Sequence, residues 1–377
     1  MLGLSRRSTV APAAPIERAN ISMKELAIAT ITPGATLKAT PSQALASSAV
    51  IACLDILCGA HSQTPVDVVR TVGAKRIPVE PQPLVIAKPS AMVTQDVWHT
   101  QVAFSLHTDG NAFAMVGATD RMGRPTQLET IDPDLVVKRR VEKGIPTVEI
   151  EKKDHQLWPH GDVWHVPGRL IQPGEPWGIS PLKAAAEAIG IGLSAATFGG
   201  RFFRDAGIPP TVLTVTSTTS QDSITRLKAQ FLDLMRGNRE PIVLSGDVQA
   251  KSLSVAPNES QFSETQQSMI EEICRFFFVP PNLVFRAISG QNVTYANMTQ
   301  TDASFLKYSL MVPMGRVERA LSEILDPSLN VKFNLSAFTR ADLPTRYASY
   351  VQALGSGWMT IDEVRALEDL PPLGGTT

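Results

Sequence analysis

Between residues 258 and 325 the chain reads as a polar helical pattern, a hard stop, a loop of small polar residues and a second long helical pattern. That order constrains the fold more than any other stretch. Phe262, Met269, Ile270, Ile273 and Phe277 recur at helical intervals, and Asn258 with Gln261 is spaced as a capping box after Pro257. Val279-Pro280-Pro281 ends this helix, because a residue before proline is pushed out of the α region and proline has no N–H to continue the ladder. The loop that follows carries Arg286, Ala287, Ile288, Ser289, Gly290, Gln291, Asn292, Val293 and Thr294, with Arg286 its only charge. From 298 to 325 apolar residues again repeat at helical spacing, and Pro313 is expected to bend that helix. Two rods joined by a nearly uncharged loop suit the wall of a passage better than a catalytic pocket.

Charge balance argues against tight, static capture of a polyanion. Lys and Arg number 35 against 36 Asp and Glu in 377 residues, so the basic excess of a tight nucleic-acid binder is absent. The three cysteines, Cys53, Cys58 and Cys274, make no disulfide framework and lack zinc-site spacing, which fits a reducing compartment. The first twenty residues hold three arginines but no apolar core of signal-peptide length, so secretion is not expected. The most apolar segment, 182–200, is interrupted by Lys183 and Glu187 and reads as a packed helix, not a membrane span.

Residues 1–42 are rich in Ala, Pro, Ser and Thr and read as a flexible arm or a clamp that orders on a neighbour. A helix is expected over 47–59, a strand through Val66, Val68 and Thr71, a helix over 94–106 and a strand over 112–116 after the Asp109-Gly110-Asn111 turn. Short strands continue to Val166, making this first module α+β. Ser180 as N-cap and Pro181 at the first helical position open a rod that runs to about residue 205, roughly 40 Å long. Its Ala184, Ala185, Ala188, Gly192, Ala195, Ala196, Gly199 and Gly200 let neighbouring helices approach closely. A compact insert follows, with a strand over 211–215, a helix over 220–235 and a hairpin over 241–255 around Ser245-Gly246-Asp247. After a strand at 331–335, two short helical patterns close the chain, the second opening with the capping box Thr360-Ile361-Asp362-Glu363.

Catalytic signals are weak. A phosphate-binding loop needs a Gly-Lys pair, a nucleophile elbow needs Gly-x-Ser-x-Gly, and the sequence has neither. His155, His160, Asp162 and His165 raise the alternative of a metal-dependent hydrolase or nuclease using His160 and His165, although strand alternation would scatter them across faces. Lys138-Arg139-Arg140 reads as a solvated strand end more readily than as a DNA patch, and Phe202, Phe203, Phe276, Phe277 and Phe278 read as helix packing.

Taken in order, several fragments resemble the tailed-bacteriophage portal proteins of the HK97 type. They are Ser48-Ala49-Val50-Ile51-Ala52-Cys53 through Pro65-Val66, Gly110-Asn111-Ala112-Phe113, Ile131-Asp132-Pro133, Val163-Trp164-His165-Val166 and Gly178-Ile179-Ser180-Pro181-Leu182. Phe277-Phe278-Val279-Pro280-Pro281, Thr294-Tyr295-Ala296-Asn297, Arg340-Ala341-Asp342 and Gly357-Trp358-Met359-Thr360-Ile361-Asp362-Glu363-Val364-Arg365 complete the series. The resemblance implies a non-enzymatic dodecameric ring at the capsid vertex, assembled in a bacterial host cytoplasm, with no cofactor. It divides the chain into a wing (43–179), a first stem helix (180–207), a clip (208–257), a second stem helix (258–279) and a tunnel loop (280–294). A long helix with a wing return strand (295–342) and a short crown (343–377) follow. Implied partners are further copies of the chain, the major capsid protein, the terminase large subunit, a head-completion adaptor and double-stranded DNA.

By the same resemblance, residues 286–294 would face the DNA. Glu259, Glu264, Glu271, Glu272, Arg201 and Arg204 would line the channel or pair between subunits, and Ile242, Val243, Leu244 and Val248 would meet adaptor or terminase. Physics favours loose passage: a duplex held at about 1 µM sits in a well of about 8 kcal/mol and would stall. Between 258 and 299 the glutamates outnumber Arg275 and Arg286 by four to two, which repels the DNA backbone weakly. A portal of a gene-transfer particle is a variant of this reading.

Overall fold

The computed structural model describes residues 38–73, 75–204, 211–215, 226, 248–252, 259–284, 301–335, 343–368 and 370–373. Its first module is built on two crossed helices. In α1 (Ser48–Gln63) Val50, Cys53, Leu54 and Leu57 are buried at i, i+3, i+4, i+7 spacing, and in α2 (Gln95–Thr108) Trp98, Val102 and Leu106 face them. Burying that stripe supplies the drive for the pair, on the order of 2 kcal/mol per large side chain. The indole N–H of Trp98 donates to the Leu128 carbonyl at 2.8 Å, so a buried donor is satisfied.

Three antiparallel three-stranded sheets surround the helices. The first places β1 (Val66–Val72) between β2 (Lys75–Pro78) and β11 (Leu329–Phe333), the last of which arrives from far along the chain. Its register sets Val66 opposite Phe333 and Val68 opposite Val331, and all four are buried. The strand begins two residues earlier than its apolar pattern suggests. At its far end the Glu318 carboxylate accepts from the Phe333 N–H at 2.9 Å and pairs with Lys332 at 2.7 Å. The second sheet orders β4 (Pro125–Ile131), β3 (Asn111–Thr119) and β8 (Val163–Pro167). A third is formed by β5 (Val136–Glu142), β6 (Ile145–Ile150) and β7 (Lys153–Gln156), and packs Val136, Val148 and Ile150 into a small core with Phe113 and Val163.

The rod expected from Ser180 is interrupted. A single turn, Pro181–Ala184, is capped by Ser180 and ends at Ala185, whose N–H bonds back to Pro181; the long helix α3 (Ala186–Arg204) then begins. Nineteen residues make it about 28 Å long. Beside it runs α4 (Glu259–Phe277), and a Cβ placed on Gly192 would lie 3.9 Å from the Met269 Cβ, so small residues do permit close approach here. Between them the described insert is a two-stranded ladder, β9 (Thr211–Val215) on β10 (Val248–Ser252). The helix expected at 220–235, apart from Arg226, and the first half of the expected hairpin lie outside the described residues.

The last long helix is not one bent cylinder. Residues 301–305 are α-helical, Leu306–Leu310 wind as a π turn, and α5 (Met311–Glu323) follows with Pro313 in its first turn. Distortion therefore falls just before the proline. The Trp164 indole N–H donates to Ala320 at 3.0 Å, fastening α5 to β8. At the end stand α6 (Leu343–Gly355) and α7 (Ile361–Leu367), with the Thr360–Glu363 capping box formed in both directions.

Candidate functional site at the neck of the paired helices

The base of α4 is set into the first module. Cys274 and Cys53 of α1 are both buried, with their sulfurs 3.9 Å apart, and Ile273, Phe277 and Val279 join the same core. The neighbouring Cys274 sulfur, then burial, push the Cys53 thiol far above its usual range, so it stays protonated. In the turn just before Cys274, Glu271 is exposed and Glu272 half-buried, and neither ion-pairs within the chain among the described residues. Both acids are therefore available to solvent or to another molecule. Glu259, Glu264, Arg201 and Arg204 lie on the helical backbones of α4 and α3, while their side chains are outside the described set.

The stop of α4 differs from the sequence expectation. The Phe278 N–H bonds to the Arg275 carbonyl at 3.2 Å and the Val279 N–H to the Cys274 carbonyl at 3.0 Å, with Phe278 at φ 58°. This is the Schellman arrangement, with a phenylalanine where glycine is usual. Pro280 and Pro281 come after the reversal and start a single turn, Pro281–Val284. Beyond it the nine loop residues expected to face DNA, 286–294, lie outside the described residues, as do Ile242, Val243 and Leu244; Val248 heads β10 opposite Val215.

Phe278 is held from two sides. Arg169, in the segment after β8, places its guanidinium 4.3 Å from the centre of the Phe278 ring and donates to the Ser309 carbonyl at 2.7 Å. Ser309 in turn donates its hydroxyl to the Phe278 carbonyl. The chemistry of proline accounts for the second bond: Pro313 has no N–H to offer the carbonyl four residues earlier, and Arg169 takes that acceptor. Burial lowers the proton affinity of the Arg169 guanidinium. A largely apolar cavity of about 410 Å³ adjoins this neck, lined by Leu106, Ala184, Phe276, Phe277 and Pro313 among others. Sequence reading missed Arg169 and Ser309 altogether, although Pro313 was a signal that a carbonyl one turn earlier needs a donor.

Close by, two of the sequence fragments meet. Asn111, fully buried, accepts from the Gly178 N–H at 2.7 Å and donates to the Gly178 carbonyl at 2.9 Å, while Ser180 donates to Thr108 at 2.7 Å. A Cβ on Gly178 would lie 1.9 Å from the Gly110 carbonyl oxygen, and one on Gly110 (φ 78°) would lie 2.2 Å from that of Ile179. Only glycines fit at this crossing. It fixes where the chain leaves the first module and enters α3.

The histidine cluster does not converge. His155 contacts Asp162 at 3.1 Å, but His165 stacks on Phe113 at 4.8 Å and bonds Asn111, and burial pushes its imidazole down to about 3. No grouping of three metal-binding side chains occurs among the described residues, His160 included. Lys138, Arg139 and Arg140 are each engaged, with Glu149 at 2.7 Å, Asp109 at 2.7 Å and Asp154 at 2.6 Å, so the run is a paired strand. No described helix is long and apolar enough to cross a membrane.

Comparison with known proteins agrees with this architecture. The phage portal protein family matches residues 48–369. A probable portal protein of Streptomyces phage phiC31 is 29% identical over 358 residues, covering 89% of this chain and 77% of that protein. The portal protein of Enterobacteria phage HK97 is 24% identical over 307 residues, covering 76% and 69%. Among solved structures, an HK97-family phage portal protein from Corynebacterium diphtheriae is similar with a TM-score of 0.59 at 18% identity, covering 80% of this chain and 96% of its own. A chain from the neck of an empty gene transfer agent particle gives a TM-score of 0.61 at 18% identity, covering 93% and 98%. With the family match running from α1 to the end of the last helix pair, this chain belongs to the phage portal protein family, in its HK97 type.

Proposed function

We propose that copies of this chain close head to tail into a dodecameric ring at one capsid vertex, with α3 and α4 as the stem around a channel for double-stranded DNA. The first module with β11 is then the wing, β9 and β10 belong to the clip, residues 280–294 form the tunnel loop, and α6 and α7 make the crown. The observation that carries the ring is the state of the crown. Its two helices bury Ala353 but leave Tyr347, Val351, Leu354, Trp358, Ile361 and Leu367 exposed. Two short helices with so little internal core do not stand alone in water, and neighbouring copies around an axis would cover them. A related gene transfer agent neck solved with C12 symmetry supports the proposed ring number.

The loop centres the duplex without gripping it, because the 258–299 stretch carries four acids against two arginines. Force comes from the terminase large subunit, docked with a head-completion adaptor at the clip through Ile242, Val243, Leu244 and Val248, and the major capsid protein surrounds the wing. Glu271 and Glu272 face the channel or the Arg201 and Arg204 of an adjacent stem in this reading, and their lack of an ion pair within the chain among the described residues supports it. Negative-stain images of the purified protein are expected to show rings with a central hole. Closed particles with a filled centre would end this reading. Deleting 287–293 should leave rings intact and reduce packaged genome, and an undiminished genome yield would remove the loop's role.

A further inference from the structure

We propose that Arg169 is the positioning residue that fixes the neck of the 279–308 excursion, setting the angle between the second stem helix and the long helix and so the height of the tunnel loop. This deepens the portal reading and rests on it. The chain leaves the neck at Phe278 and returns to it at Ser309, and one side chain from the first module holds both ends. Arg169 lies 4.3 Å from the Phe278 ring centre and donates at 2.7 Å to the Ser309 carbonyl, while the Ser309 hydroxyl closes the triangle on the Phe278 carbonyl.

Two observations make this triangle, and not general packing, the determinant. The cavity of about 410 Å³ beside it shows that apolar contacts do not fill the junction. Phe278 is 47% exposed yet held at φ 58°, a conformation disfavoured for a residue with a Cβ, so its own ring burial adds little to the two backbone bonds of the cap, and further restraint must come from what touches the ring and its carbonyl. The cation over its face and the bonded carbonyl supply that restraint. Tethering the two ends also removes most of the freedom that a long excursion would otherwise have at its base. Because Arg169 follows β8 directly, a shift of the wing sheet would be carried to the neck through one guanidinium.

Hydrogen exchange on the purified full chain, in whatever assembly state it takes and without DNA, tests this. In Arg169→Ala the amides of 282–284 and 301–308 should exchange about tenfold faster, the loss expected for a charge-assisted hydrogen bond, while β3 is unchanged. Arg169→Lys should recover part of the protection, since an ammonium reaches the Ser309 carbonyl but does not lie flat on the ring. Phe278→Gly, which suits the left-handed backbone, should relieve the strain and still loosen the neck, because the platform is gone. Packaged genome should fall in parallel with neck protection. Unchanged exchange in Arg169→Ala, or equal acceleration in β3, would overturn the proposal. Accelerated exchange with wild-type genome yield would overturn its functional half. Since the exchange needs no DNA, its failure leaves the portal reading standing, and a wild-type chain that forms no ring removes that reading without touching the neck measurement.

Discussion

The first module and the C-terminal helix pair solve the same problem in opposite ways. Residues 48–167 bury Trp98, Trp164, Phe113, Leu57 and Leu128 almost completely, and the indole N–H groups of Trp98 and Trp164 each find a backbone carbonyl. In contrast α6 and α7 are held together by Arg346 on Glu368 at 2.7 Å, by Tyr350 on the same carboxylate at 2.8 Å and by little apolar contact. One region is finished by its own chain. The other is finished by what surrounds it, so stability in the first and assembly in the second should respond to different substitutions.

Gly178→Ala should break the comparison most severely, since its Cβ would sit 1.9 Å from the Gly110 oxygen with backbone on both sides. A loss of more than about 4 kcal/mol, or failure to fold, is expected in denaturant titration. A change below about 1 kcal/mol would mean that the crossing of the two backbones is wrongly described.

Acid should come next, and it should act on the first module. Burial pushes the His99 and His107 imidazoles down to about 4 and holds His61 well below 6.5, with Arg169 adding to the effect at His107 and Asp96 opposing it at His99. An imidazole kept neutral by the fold contributes fully above the unfolded value of about 6.5, and its contribution is lost as pH falls from there toward about 4. Melting followed by tryptophan fluorescence, which reports chiefly on the first module through Trp98 and Trp164, should therefore fall by about 10 °C or more between pH 7 and pH 4.5. A flat profile would show that these rings are hydrated.

Substituting Val351→Ser together with Trp358→Ser should sharpen the contrast from the other side. These side chains are 70% exposed in the single chain, so unfolding of dissociated protein should change by no more than about 0.5 kcal/mol, while rings should fall apart at lower concentrations of salt or denaturant. Equal effects on both readouts would show that the pair folds onto its own chain. Smallest of all, Glu363→Ala removes half of a capping box and should cost about 0.5–1 kcal/mol of α7 helicity, read by exchange at its first turn.

How much of this was legible beforehand follows from the range of the forces involved. The Ser180 cap, the capping box at Thr360, the β9 strand at 211–215 and the apolar faces of α1 and α4 depend on residues a few positions apart, and each formed where its pattern lies. The stop of α4 was foreseen, but its cause was not: two prolines announced it, and a left-handed Phe278 performs it because Arg169 and Ser309 hold that residue. Pro313 promised a bend and produced a π turn, since its missing donor freed a carbonyl that only a distant arginine could satisfy. The histidine spacing suggested a cluster, and the alternation of β8 turned His165 toward Asn111, away from His155.

Periodicity, caps and glycine and proline placement are written in consecutive residues, so the order of helices and strands and the family resemblance could be read from the letters alone. The pairing of β1 with β11, the glycine crossing at Gly110 and Gly178 and the Arg169 triangle join residues 31 to 267 positions apart, from the neck to the return strand, and no local pattern encodes which of many compatible partners is met. That choice is made only when the apolar faces have packed, because packing decides which carbonyl, ring and guanidinium are left within reach of one another.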